Sequence, residues 1–253
     1  MMRPPQYAGR YYFPDPGRLR AAVESYIEDA TVPRANGRLI GIIAPHSQLS
    51  EIGIVAGCAY KPLLTTPLTS DETLMLAPTA HAGDALLCDP SVAYDTLLDP
   101  LRIDRTLLEA VQGAGLNVTD DADDEPVIEC HAPFVQAALG DVRVLPLRVP
   151  GLLDVMRCAP LAQHAGLIIA CANLPDGHED AACNAIVRVE AAFFDGAQIQ
   201  KRGLFSRRLS KPARTPDATT IALALTLAKS RGATHALLLK RAGAFAAFAL
   251  IVR

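Results

Sequence analysis

The sequence predicts one α/β domain over residues 1–253: a layered sandwich with a mixed, mostly parallel central sheet flanked by helices. Three observations predict it. Half of the residues are hydrophobic and 20% are charged, enough to bury one sizeable core. Six short runs are almost wholly apolar, which suits strands covered on both faces better than the alternation of half-exposed ones. Segments of helical period separate most of those runs, and neither an internal repeat nor a long linker divides the chain.

In chain order, Pro4 and Pro5 mark an extended arm. Leu19, Ala22, Val23, Tyr26, Ile27 and Ala30 then recur at helical steps, with Asp15 as N-cap and Pro16 just inside. Arg38 to Ala44 (RLIGIIA) is the first apolar run, and Gly53 to Leu63 reads as the next helix. Further strands are expected at Thr73 to Ala77, Val142 to Val149 and Gly166 to Cys171, with helices at Asp104 to Val111 and Ala181 to Phe194. The clearest helix is Pro216 to Ser230, capped by Thr215 and stopped by Gly232. Thr234 to Leu239 and Ala246 to Val252, joined by a short Arg-Ala-Gly turn, predict an antiparallel hairpin at the end.

Composition excludes several classes. A net charge of -3 with no aromatic-basic interleaving argues against nucleic acid as a partner. No apolar run approaches the roughly 18 residues that cross a bilayer. The opening MMRPPQYAGRYYFPDP lacks the apolar centre of a signal peptide, so a cytoplasmic protein without membrane partners is expected. Six cysteines without a C-x-x-C pair read as reduced thiols.

In open α/β sheets, chemistry collects beyond the carboxyl ends of the strands. Pro45-His46-Ser47 follows the first run, and Pro78-Thr79-Ala80-His81 follows the next. Two imidazoles at equivalent strand ends can offer neutral nitrogens to one divalent metal, although a lone strand-end histidine more often has a structural role. After GLIIAC come Asn173, Asp176 and His178. His46, His81 and Asp176 would make the 2-His-1-carboxylate set of non-haem iron(II), with His178 as base or substitute ligand. Alternatively, Pro-Asp-Gly is a turn and Asp176 only closes it. A nucleophile built from Cys171, or from Cys130 with His131, competes with inert packing, and a hydrolase through Cys171 or Ser47 lacks a base placed by sequence. The acidic run Asp120 to Glu125 and the basic Arg207, Arg208 and Lys211 read as solvated loops.

Several segments together resemble the Memo-like family, whose bacterial and archaeal members include protein B of the Amme-Memo-radical-SAM system. RPPQYAGRYYFPDPGRLRAAVESYI is similar to the family's opening, and IIAPHSQLSEIGIVAGCAY resembles I-A-P-H-A-G-Y-x-Y-S-G-x-x-A-x-x-A-Y at Ala44, Pro45, His46, Gly53, Ala56, Ala59 and Tyr60. LAPTAH resembles L-G-P-S-H, with His81 one place late and Ala80 at the ungapped position. EPVIECHAPFVQ resembles E-H-S-L-E-V-Q-L-P-F-L-Q at Glu125, Glu129, Pro133, Phe134 and Gln136, with Pro126 at the histidine position. LPLRV is similar to the V-P-x-L-V strand. IIACANLPDGH resembles V-V-S-S-D-F-S-H-x-G, with Asn173 for the aspartate and Asp176 for the histidine. PARTPDATTIALAL resembles C-G-R-x-P-I-x-x-L-L at Arg214 and Pro216, with Pro212 for the cysteine.

The resemblance implies a fold like that of class III extradiol dioxygenases and a metal, iron or another divalent ion, held by two histidines and a cysteine. Here the first histidine is kept, the second is shifted and the cysteine is replaced, so the inherited pocket is read as degenerate. Glu125, Asn173 and Arg214 are the further cleft residues the resemblance implies. Two functions follow: a binding or accessory protein for a small molecule or a protein partner, with a link to radical SAM and AMMECR-type proteins; or a metal-dependent oxidoreductase using His46, His81 and Asp176 or His178.

Overall fold

The computed structural model describes residues 1–65, 72–120, 125–194 and 215–253. Its elements are β1 (Met2–Arg3), α1 (Pro16–Glu28), β2 (Arg38–Ala44), α2 (Leu49–Tyr60), β3 (Thr73–Thr79), β4 (Leu86–Cys88), β5 (Ala93–Tyr94), β6 (Leu101–Ile103), α3 (Arg105–Gly113) and β7 (Val118–Asp120). They continue with α4 (Val127–Leu139), β8 (Arg143–Pro150), β9 (Leu167–Cys171), α5 (Glu179–Val187), α6 (Pro216–Ser230), β10 (His235–Ala242) and β11 (Phe245–Val252).

The strand order is β1-β5-β6-β8-β3-β9-β2-β11-β10. From β6 to β2 every pairing is parallel, whereas β2-β11 and β11-β10 are antiparallel. The expected mixed, mostly parallel sheet is therefore present. Its central strands are buried on both faces because α4 and α6 both pack on β3 and β9, and neither face meets water. The hairpin closes through Gly243 and Ala244, and Gly243 supplies the positive φ of 61° that a two-residue turn demands. The crossing of α1 on α2 is equally specific. A methyl group on Gly57 would run into the Tyr26 carbonyl, so the glycine permits backbone contact between the helices.

Side-chain caps set the helix starts. Asp15 accepts from Arg18 N–H at 2.7 Å, Asp104 from Leu107 N–H at 2.9 Å and Thr215 from Ala218 N–H at 3.2 Å. Two expected helices are displaced. The second one begins at Leu49 instead of Gly53 and stops at Tyr60, because Pro62 cannot donate to the preceding turn and Lys61–Leu64 tightens into a 3-10 turn. The expected helix from Ala181 to Phe194 is split: α5 ends at Val187, before Val189 takes a positive φ of 55°, and a 3-10 turn follows at Ala191–Phe193.

Sequence periodicity missed α4. All residues from Val127 to Val135 are buried, so no polar stripe reveals the period, and Pro133 sits inside the helix. The short strands β1 and β4 to β7 also escaped, being two or three residues long. All six cysteines are buried free thiols. Among the described residues no helix is long and apolar enough to cross a membrane. The basic cluster at Arg207, Arg208 and Lys211 lies outside the described residues, as do Pro212, Arg214 and residues 121–124 of the acidic run.

Candidate functional site

Register brings the chemistry together. Ala44 pairs with Cys171, so β2 and β9 end level and release His46 and Asn173 side by side. The Asn173 side chain clamps the histidine backbone: its Oδ1 accepts from His46 N–H at 3.0 Å and its Nδ2 donates to His46 O at 2.9 Å. At the parallel end of the neighbouring β3, Thr79 and Ala80 form the opposite wall of a cleft of about 460 Å³. The N-terminus of α6 closes one side, with Asp217 at its second residue.

Asp217 is the central group. Its Oδ1 accepts from His46 Nε2–H at 2.8 Å and from Asn173 N–H at 2.7 Å. A carboxylate in the first turn of a helix is favoured by the partial positive charge of the unpaired N–H groups there. Because a carboxylate can only accept, Nε2 carries a proton in this contact. The side chains of His46 and Asp217 keep 21% and 28% exposure, so solvent and solutes reach the pair.

Glu125 lines the cleft but is engaged elsewhere. Its Oε1 accepts from Thr79 Oγ1 at 3.0 Å and from Ala80 N–H at 2.8 Å. The buried Arg148 donates to the Glu125 carbonyl at 3.0 Å and lies 3.7 Å from Oε2. The glutamate thus ties α4 to the end of β3.

Beneath the cleft sits His131, completely buried in α4. Its Nε2–H donates to the Pro45 carbonyl at 3.1 Å, and its Nδ1 accepts from Tyr60 O–H at 3.0 Å. Burial, with the nearby His46, pushes its pKa down to about 3 despite the bond to Pro45, so the ring is a neutral strut under the histidine loop. Burial likewise pushes the Cys130 and Cys171 thiols well up, which removes the thiolate that a nucleophile from either would need. His131 was read as one half of such a pair; both its nitrogens are already bonded.

Ser47, the other candidate nucleophile, lines the cleft with its hydroxyl donated to Glu51, whereas His81, Asp176 and His178 are not among the lining residues. Ala80, not His81, lines it, and His81 is exposed with its backbone N–H held by Thr79 Oγ1 at 3.1 Å. The turn alternative describes Asp176: it is exposed, Gly177 follows with φ 72°, and His178 N–H returns to the Pro175 carbonyl at 3.1 Å. His178 then precedes α5 without bonding its side chain to the helix start. Asp217 went unnoticed in the sequence, although it stands where the family segment quoted above has isoleucine. A carboxylate replacing an apolar residue directly after a Thr-Pro helix start was the available signal.

The donor set tests whether a metal of the implied kind fits. Around His46, Ala80 offers no side-chain donor, Asn173 is locked on the backbone and Glu125 is engaged by three groups. Among the described residues no group of three or more His, Cys, Asp or Glu side chains is disposed to hold a metal ion. These residues do not fit a three-donor centre.

A family model described as "Memo-like protein" matches residues 3–163. A MEMO1 family protein of Methanothermobacter thermautotrophicus is 30% identical over 156 residues, covering 58% of this chain and 56% of the relative. One from Pyrobaculum aerophilum is 27% identical over 156 residues, covering 58% and 55%. The match thus spans a little over half the length of these curated relatives. An uncharacterized protein of Escherichia coli K12, known from a crystal structure, superposes with a TM-score of 0.43 at 12% identity, over 84% of this chain and 100% of that one. With the family model matching well over half of its residues, a stretch that includes His46, Thr79 and Glu125, the chain belongs to the Memo-like protein family.

Proposed function

We propose that this chain is a divergent Memo-family binding protein whose cleft takes up a small polar molecule directly, through His46 and Asp217, in place of the family's metal centre. One observation carries the reading: the imidazole Nε2 donates its proton to Asp217 at 2.8 Å, and the same oxygen is fixed by Asn173 N–H. That bond occupies Nε2, and among the described residues no group of three or more His, Cys, Asp or Glu side chains stands there to hold a metal. What the cleft offers instead is a hydrogen-bonded pair with one imidazole nitrogen unpartnered among the described residues, at a strand-end position where α/β proteins bind ligands. The oxidoreductase alternative requires His81 with Asp176 or His178 to converge on His46, and the lining of this cleft gives it no support. The link to radical SAM and AMMECR-type proteins belongs to this proposal as a source or consumer of the bound molecule.

The test is metal retention. Protein purified without chelator, incubated with iron(II), copper(II) or zinc(II) and then desalted should keep well below one ion per chain, with His46→Ala unchanged. One ion per chain that disappears in His46→Ala overturns the reading.

A further inference from the structure

At the end of the sheet opposite His46, the segment before β2 folds against the edge hairpin and leaves a pocket of about 580 Å³. We infer that this pocket, bounded by Arg34, Asn36, His235, Leu237, Ile251 and Arg253, is a binding site for a small organic anion whose apolar body rests on the β10–β11 face. Its size falls within the range of about 300–1,000 Å³ usual for small-molecule sites.

Among the described residues no aspartate or glutamate lines the pocket. Arg34 makes no hydrogen bond or ion pair among the described residues. Arg253 donates from Nε to His235 Nε2 at 3.2 Å, so the imidazole is an acceptor there and its own proton sits on Nδ1, facing Thr234 Oγ1 at 3.2 Å. An imidazole is a neutral partner, and it orients the guanidinium without cancelling its charge. Two further arginines crowd the same end: Arg38 donates to the Arg231 carbonyl at 3.3 Å. Like charges therefore press on one another. Burial and Arg253 hold His235 below its ordinary pKa, and burial and Arg38 hold Arg231 below its own, with Glu72 partly offsetting the latter. In a chain of net charge -3, this local excess of cations attracts anions.

The floor supplies the rest of the specificity. His235 pairs with Ile251 across the hairpin, so Leu237, two residues on, shares their face and the apolar side chains lie beside the cations. Gly37 lets the wall approach, since a methyl group there would strike the Val252 carbonyl. Guanidinium groups match the planar oxygens of carboxylate and phosphate. The ligand class is therefore an anionic head on a compact apolar or aromatic body.

Three probes test this at constant ionic strength by NMR of the histidine rings: phenyl phosphate, benzoate and inorganic phosphate. Phenyl phosphate or benzoate should shift the His235 resonances saturably, leave those of His46 in place and raise the His235 titration midpoint, because a nearby anion favours the imidazolium. The tighter of the two identifies the head group, and inorganic phosphate, lacking the body, should bind at least tenfold more weakly than it. Arg34→Ala with Arg253→Ala, both at exposed positions, should weaken binding at least tenfold. No saturable change at His235, equal affinity in the double variant, or a response confined to His46 overturns the proposal.

Discussion

Lowering the pH from 6.5 to about 4.5 is expected to remove about 2–3 kcal/mol of unfolding free energy that is attributable to His131 alone. Above pH 6.5 the ring is neutral in both the folded and unfolded chain and contributes no pH dependence. Below it, the unfolded chain takes up a proton that the folded chain refuses until about pH 3, because the ring is fully buried and lies near His46. The unfolded state then binds more protons, so stability declines as the pH falls, by about 1.4 kcal/mol per unit within that window. His131→Phe should flatten this slope. Phenylalanine can continue the ring packing that places His131 5.9 Å from Tyr60 and 6.1 Å from Phe134 between centroids. It will be less stable at neutral pH, since Tyr60 O–H and the Pro45 carbonyl lose their partner, but the slope separates the two effects. Urea denaturation of both proteins between pH 5 and pH 6.5 measures it, and identical slopes would contradict the assignment. Because His131 holds the carbonyl next to His46, the same acid titration should loosen the cleft before the whole chain unfolds.

Glu129→Ala is the second large effect, a loss of about 3–5 kcal/mol. This carboxylate is only 2% exposed, yet it accepts three hydrogen bonds: from Tyr12 O–H at 2.7 Å, Tyr7 N–H at 2.8 Å and Gln6 N–H at 3.2 Å. It fastens the N-terminal arm to α4, and that arm carries Tyr11 into the cleft wall. Truncation removes the acceptor of the Tyr7 N–H and the Tyr12 phenol in a buried place and of the Gln6 N–H at its edge, and each buried unmet group costs about 1–3 kcal/mol. Glu129→Gln keeps one acceptor oxygen but turns an N–H toward the remaining donors, so it should fall between the two. Equilibrium urea unfolding reads the difference, and a loss below about 1 kcal/mol for the alanine variant would show that the arm is not held this way.

How far the sequence revealed these features depended on whether the signal was local. The six long strands and α6 were readable because apolar runs, caps and a stop glycine act within a few residues. The helix α4 was hidden by burial on every side and by an internal proline, since periodicity requires a polar face. For the cleft, the strand-end rule found His46 and Asn173, and the resemblance found Glu125. What no spacing showed was the contact across 171 residues between His46 and Asp217, which exists only because α6 returns to the end of β2. The same rule also pointed to His81 and Asp176, which do not line this cleft: β3 runs on to Thr79 and Ala80 takes the lining position, and Asp176 stands in a turn before Gly177.

The central claim is that His46 faces Asp217 with a protonated Nε2. The most direct measurement is the nitrogen-proton correlation spectrum of the His46 ring, before and after one equivalent of zinc(II). The account predicts a proton on Nε2 that zinc leaves unchanged and that Asp217→Asn disturbs. A ring protonated on Nδ1 alone, or one whose Nε2 signal moves to a metal-bound position on adding zinc, would contradict it.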